Sequence, residues 1–199
     1  MYRTLLAACL LAGLPLAAQA SDALPYNLIE AGYIHTDSDN ASADGVAIKA
    51  MLALHPSVHV FADYSAQRVD QVDVDVDQWR AGIGWNHELS STTDLLLRAS
   101  WLGWRPEYGS DVDGYALELG GRLFANHRWE VEALAGWENY AEHNGINPEP
   151  EFYGRLGAVA RFNEHWGLSA QVRLGKQSSR EWFIGPRASW EPLPPCQRS

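Results

Sequence analysis

Apolar and polar residues alternate with period two along most of this chain, in runs of about ten residues broken by turn-forming clusters. The stretch QVDVDVDQW (71–79) is the plainest case, interleaving Val72, Val74 and Val76 with Asp73, Asp75 and Asp77. Period two is the spacing of a β-strand, whose successive side chains point to opposite faces. A loose repeat organises the runs. Asp44-Gly45-Val46, Asp77-Gln78-Trp79, Asp113-Gly114-Tyr115 and Glu151-Phe152-Tyr153 each open a segment, at spacings of 33, 36 and 38 residues. Each opening leads through one run, a short turn and a second run. The short turns are LHPSV (54–58), HELSSTTD (87–94), FANHRW (124–129) and FNEHWG (162–167). Longer polar segments lie between, at 36–44, 68–75, 105–113 and 141–151. The pattern predicts strands over 26–35, 45–54, 58–67, 77–86, 95–104, 114–123, 129–139, 152–162, 166–176 and 182–190. These are joined as plain hairpins, with no helix-period window after the first twenty residues. The expected fold is all-β: an antiparallel up-and-down barrel of about ten strands, with eight as the alternative.

Which face is charged decides what kind of barrel this is. One face of each strand is free of charge, as in Val46, Ile48, Ala50, Leu52, Leu54 or Trp129, Val131, Ala133, Ala135, Trp137. The opposite faces carry Glu30, Lys49, Asp63, Arg80, Arg98, Glu118, Arg122, Glu130, Glu132, Glu138, Arg155, Arg161, Arg173 and Arg187. A soluble barrel would bury the apolar set. Eight of the nine tryptophans, however, fall on the apolar face near strand ends. Trp85, Trp129, Trp166 and Trp190 mark the short-turn end, and Trp79, Trp101, Trp137 and Trp182 the long-loop end; Trp104 is the exception. Two aromatic girdles around an apolar band are the signature of a transmembrane barrel, with charges inside and short turns in the periplasm. Strands of this length, tilted, match the bilayer core.

The ends of the chain agree. Residues 1–20, MYRTLLAACLLAGLPLAAQA, have the form of a secretory signal peptide cleaved after Ala20. This places the barrel (21–190) in the outer membrane of a Gram-negative bacterium. The formal charge of −10 becomes −11 once Arg3 leaves with the leader. With lysine only at positions 49 and 176, nucleic acid is excluded as a partner. Cys196 is the one cysteine outside the leader, so no internal disulfide is expected. A Pro-rich tail, EPLPPCQRS (191–199), cannot extend the last strand.

The runs QWRAGIGWNHELSSTTDL, FYGRLGAVARFNEHWGLSAQVRL and WFIGPRASW, with YNLIEAGY at the start, resemble the Ax-type small outer-membrane β-barrel proteins. That family comes from xanthomonads and their relatives and is linked by name to quorum sensing, biofilm and motility. The resemblance spans about Tyr26 to Trp190 and implies insertion by the outer-membrane barrel assembly machinery. It brings no catalytic residues. Gly185, Ala188 and Trp190 stand at the Gly-x-x-hydrophobic-x-aromatic spacing of a barrel assembly signal. The tail beyond Trp190 departs from the family, whose chains usually stop at that aromatic residue.

Function follows from the lumen and the rim. Ten strands lie near the side-chain-filled end of the size range, and buried charges must pair. The expected lumen network is Glu30, Lys49, Asp63, Arg80, Arg98, Glu118, Arg122, Glu132, Arg155, Arg173 and Arg187. In particular, Arg80, Arg98, Arg155 and Arg173 are expected to pair with Glu30, Asp63, Glu118 and Glu132 in some combination. A plugged lumen suits a structural or surface-interaction role: envelope integrity, adhesion, biofilm or motility. A narrow ion-conducting channel is the alternative. A rim hydrolase using His35 with Asp37 and Ser38, or His143 with Glu142, comes third; the chain is read as no enzyme. His55, His59, His87, His127 and His165 fall near the short turns, a placement that suits turns better than metal. No cofactor motif and no structural metal site is found. Asp73, Asp75 and Asp77 share parity with Trp79 and would continue the outward face above the girdle. They are candidate contacts for divalent cations shared with lipopolysaccharide phosphates. Lying about 6.6 Å apart from one to the next, they would bind such cations only weakly alone.

Overall fold

The computed structural model describes residues 24–39, 41–70, 73–107, 111–141, 149–176 and 179–190. Residues 1–20, expected to be a signal peptide, the tail 191–199 with Cys196, and the pair Glu142/His143 lie outside them. Ten strands follow one another: β1 (Leu28–Ser38), β2 (Ala41–His55), β3 (Val58–Val69), β4 (Val74–Ser90), β5 (Thr93–Pro106), β6 (Val112–Asn126), β7 (Trp129–Tyr140), β8 (Glu151–Arg161), β9 (Trp166–Leu174) and β10 (Arg180–Ser189). Each pairs antiparallel with its sequence neighbours, and β10 returns to pair with β1, closing the barrel. The ten-stranded expectation is borne out. Among the described residues no helix is long and apolar enough to cross a membrane, which says nothing about crossing with strands.

Strands run further than the hydrophobic pattern reaches. β1 and β2 stay paired out to Ser38↔Ala41, so most of the polar segment 36–44 is strand rather than loop. Likewise β4 runs to Ser90 and β5 resumes at Thr93, so the eight residues HELSSTTD shrink to a turn of two. Ladder hydrogen bonds need only backbone groups, and pairing therefore continues past the last apolar side chain. At the short-turn end the ladder shifts register between Ala53 and His55, Glu88 and Ser90, and Phe124 and Asn126. Two of these turns use one device. Asn126 Oδ1 accepts from the N–H groups of Arg128 and Trp129, and Asn163 Oδ1 from those of His165 and Trp166. NHRW and NEHW are thus the same side-chain-mimicked turn, each delivering a tryptophan to the first position of the next strand.

The alternation resolves into an apolar exterior and a polar interior. Val46, Trp101 and Phe152 are 65%, 58% and 73% exposed, whereas Glu118 and Arg122 are 1% exposed. One segment departs from expectation. Tyr26 was predicted to begin the first strand; instead Leu24, Tyr26 and Asn27 precede β1 and are buried in the short-turn end. Tyr26 and Leu24 pack with Leu96 and Leu134 there, and Met51, Ala53 and Phe124 pack against the same cluster.

At the β1/β10 seam Gly32 and Gly185 stand opposite one another, bracketed by Glu30↔Arg187 and Tyr33↔Ile184. A Cβ on either would run into the carbonyl oxygen and the glycine Cα of the facing strand. The lumen-side backbones approach that closely only because both residues are glycine. Gly185→Ala is therefore expected to lower stability in detergent by roughly 1–3 kcal/mol, the range of overpacking, as read from urea unfolding monitored by tryptophan emission. Gly154→Ala, where an added Cβ meets nothing within 4 Å, should leave the curve in place.

Candidate functional site

The site is the lumen, built from inward side chains of all ten strands. At the short-turn end Tyr26 donates its hydroxyl to Asp94 Oδ2 at 2.6 Å. Its ring stacks on His59, centroids 4.9 Å apart, and the Arg122 guanidinium lies 5.1 Å from its centre. Directly above, Glu130 Oε1 accepts from Arg122 Nε at 2.6 Å and from Arg187 Nη1 at 2.7 Å. Arg187 Nε also donates to Glu30 at 2.6 Å. Arg98 makes a two-point pair with Glu132 through Nη1 and Nη2, at 3.3 and 2.9 Å.

The middle of the lumen centres on Glu118. Its Oε1 accepts from Arg80 at 3.0 Å, Arg155 at 3.1 Å and the Tyr153 hydroxyl at 2.8 Å. Arg80 reaches on to Glu138 at 3.3 Å, and Glu138 takes Arg173 at 2.5 Å. Charges from β4, β6, β7, β8 and β9 thus lock into one cross-lumen lattice. Glu30, Glu118, Glu130, Glu132 and Glu138 are held in this interior because each meets guanidinium donors in hydrogen-bonding geometry.

Against the expected pairs, Arg80 and Arg155 do share Glu118, and Arg98 does take Glu132. Three assignments are corrected. Arg173 pairs with Glu138 and Glu30 with Arg187, while among the described residues Asp63 has no ion pair within 4.0 Å although Lys49 and Arg80 flank it in register. Lys49 makes no carboxylate pair among them either. It donates across the lumen to Gln171 Oε1 at 2.5 Å and lies 4.2 Å from the centre of the Phe183 ring. Tyr26, Asp94, Gln171 and Phe183 were not foreseen as lumen residues. Tyr153 was also missed, though its parity with Arg155 marks it as inward.

Two small cavities lie along the lumen. The outer, about 70 Å³, lies on the long-loop side among Gln78, Arg80, Trp104, Tyr140 and Arg173. The inner, about 40 Å³, lies toward Arg98, Arg122 and Arg187. Lys49, Asp63 and Arg155 border both and stand between them.

The outer surface carries the remaining candidates. Trp79, Trp101, Trp137 and Trp182 occupy outward strand positions toward the long loops, with Trp79 lying over Gly103. Trp85, Trp129, Trp166 and Trp190 lie toward the short turns, where Trp85 stacks on His87. Gly185 faces inward at the seam, Ala188 outward, and the Trp190 N–H donates to the Asn27 carbonyl. The aspartate row is corrected. Asp73 is not on the strand: its φ is 55° and β4 begins at Val74. That turn swings its carboxylate onto Arg68 Nε at 2.5 Å, and the guanidinium holds the Asp73 carboxyl below the usual carboxylate range. Arg68 Nη1 also lies 4.0 Å from Asp75. Among the described residues no group of three His, Cys, Asp or Glu side chains forms a metal site. At the same rim His35 Nδ1 meets Asp44 at 2.7 Å, not Asp37, and the Tyr33 hydroxyl donates to the same carboxylate. Ser38 Oγ donates to the Ala41 carbonyl.

No protein-family model matches the chain, and no curated protein sequence matches it. Among solved structures it is similar to the translocator domain of autotransporter NalP from Neisseria meningitidis, at TM-score 0.47 and 11% identity, over 85% of this chain and 91% of that one. It is also similar to the KdgM porin in complex with disordered oligogalacturonate, at TM-score 0.43 and 7% identity, over 83% and 99%. A third is OmpTdeltaL8, an outer membrane protein of Vibrio cholerae, at TM-score 0.42 and 14% identity, over 80% of this chain and 59% of that one. These likenesses concern the fold alone: a closed antiparallel barrel, here of ten strands.

Because one Glu118 oxygen serves two guanidinium groups and a phenol, Glu118→Leu strands Arg155 without a carboxylate. The expected loss is roughly 3–5 kcal/mol, the cost of breaking a buried pair from one side. Denaturant unfolding in detergent micelles measures it, with the exposed-pair variant Asp73→Asn as a control expected to leave the unfolding curve close to that of the wild type.

Proposed function

We propose that this protein is a plugged outer-membrane barrel with a structural or surface-interaction role in the Gram-negative envelope, not a diffusion pore. The observation that carries this reading is the lumen itself. From Tyr26–Asp94 through Arg122–Glu130–Arg187 to Glu118 and Glu138, charged and aromatic side chains bridge wall to wall. Along this lattice lie two small cavities, of about 70 and 40 Å³. A hydrated ion passing through would have to break buried ion pairs at several levels.

Membrane placement rests on the inverted polarity of the barrel. A soluble protein rarely exposes an apolar surface this continuous, and in lipid a closed barrel satisfies every strand hydrogen bond. Trp129 and Trp137 on β7, eight positions apart, stand about 20 Å apart along the normal for a strand tilted near 40°, close to the apolar band of about 25 Å. The two tryptophan rows are read as headgroup-level girdles, and residues 1–20 as the leader that exports the chain. Gly185, Ala188 and Trp190 would present the last strand to the barrel assembly machinery. Outer-membrane lipid and lipopolysaccharide are the standing partners. The resemblance to Ax-type barrels agrees with a biofilm- or motility-related role at the surface. Divalent-cation contact, with Asp73 diverted to Arg68, falls to Asp75 and Asp77 alone.

Two measurements test the reading. Refolded protein should migrate faster unheated than boiled on a detergent gel; a folded, monodisperse chain in detergent-free buffer would rule out the membrane placement. In planar bilayers the wild-type protein should show little conductance. Arg98→Ala combined with Arg155→Ala should raise conductance and lower Tm together, whereas a large, steady wild-type conductance would favour the channel.

A further inference from the structure

The inner lumen cavity has donors that the ion-pair lattice does not use. Five cationic side chains border its roughly 40 Å³, namely Lys49, Arg98, Arg122, Arg155 and Arg187. Only three carboxylates do, Glu30, Asp63 and Glu132. Two of the three are already engaged, Glu30 by Arg187 and Glu132 by both terminal nitrogens of Arg98. The guanidinium donors are not used up. Arg122 is 1% exposed and gives Nε to Glu130, yet its Nη1 and Nη2 are buried with no protein partner. Arg98, 4% exposed, has a buried Nε in the same condition. Buried N–H groups without an acceptor carry a desolvation cost of about 1–3 kcal/mol each, more when charged. A chamber walled by such donors therefore retains something that accepts hydrogen bonds.

We propose that this cavity is a binding site for a small monovalent anion of the halide class, held by the terminal nitrogens of Arg122 and by Arg98 Nε. The site goes beyond the structural role proposed above and does not depend on it. Three features select a halide. The lining carries two more positive than negative groups, so a negative guest offsets the excess. An acceptor-only guest answers several N–H groups at once, whereas a water molecule must also place two protons beside them. The volume, about 40 Å³, is on the scale of a small guest the size of a few water molecules at most. Entry runs from the outer cavity past Lys49 and Arg155, which border both spaces. Asp63 opposes an anion at that passage, and its register neighbours Lys49 and Arg80 counter it. The competing occupant is water bridging Arg122 to Asp94, its register partner, whose Oδ1 is also buried without a partner.

Bromide distinguishes the two occupants, because it scatters anomalously and water does not. Crystals of the detergent-refolded full chain soaked in sodium bromide should show an anomalous peak in the inner cavity, within hydrogen-bonding distance of Arg122. The peak should fade on back-soaking in sodium chloride and be absent from Arg122→Gln crystals. Ordered density without anomalous signal would assign the cavity to water and overturn the proposal, as would a peak of full height in Arg122→Gln. Should that variant fail to fold, the wild-type crystals decide alone. In solution the wild-type Tm should be higher in chloride than in gluconate at equal ionic strength, and equal values would count against the site.

Discussion

Closure of the backbone ladder between β1 and β10 is the constraint on which the rest of the structure depends. With that seam made, every strand has a hydrogen-bonded neighbour on both sides and no edge is left to satisfy. Side chains then have only two directions available, into a narrow lumen or out to the surroundings. The exterior is apolar almost throughout, so nearly every charge not carried by a turn or rim has to be placed inside. Gly32 and Gly185 are part of the same constraint, since their missing side chains let the seam backbones approach.

Charges forced into a narrow space must compensate one another at short range, and the lumen shows how. Glu118 and Glu130 each use a single oxygen to hold two guanidinium groups. Sharing of this kind leaves nitrogens of Arg98 and Arg122 over beside the inner cavity, while the second Glu118 oxygen is buried with no hydrogen-bond partner. Plugging and the proposed anion site therefore share one origin: guanidinium N–H groups and carboxylate oxygens that the geometry of the lattice does not bring together. Tyr26 adds the closing layer from outside the strand order, packed against the apolar cluster at the short-turn end.

Much of this was legible along the chain. Alternation at period two determined the strand count, the two faces and the outward placement of eight tryptophans, because a pleated strand sends odd and even residues to opposite sides whatever it pairs with. The Asn-x-x-Trp turns are local too: Asn126 and Asn163 bond only to backbone two and three residues on. Strand ends were less legible, since backbone pairing in β4 and β5 outlasts the hydrophobic signal.

What only the tertiary structure decided is which charge meets which. Arg187 and Glu30 are 157 positions apart and become neighbours only when β10 closes on β1. Arg173 finds Glu138, a residue outside the expected four acids, because the stagger of the strands sets the height of each inward residue, and one sequence cannot state that stagger. Lys49 passes over Asp63 beside it to reach Gln171 across the lumen, and Asp73 leaves its row because the chain turns through a positive φ. The sequence by itself determined the side of the wall on which each group stands, a property of a single strand. Partners depend on register, tilt and closure, which belong to all ten strands together.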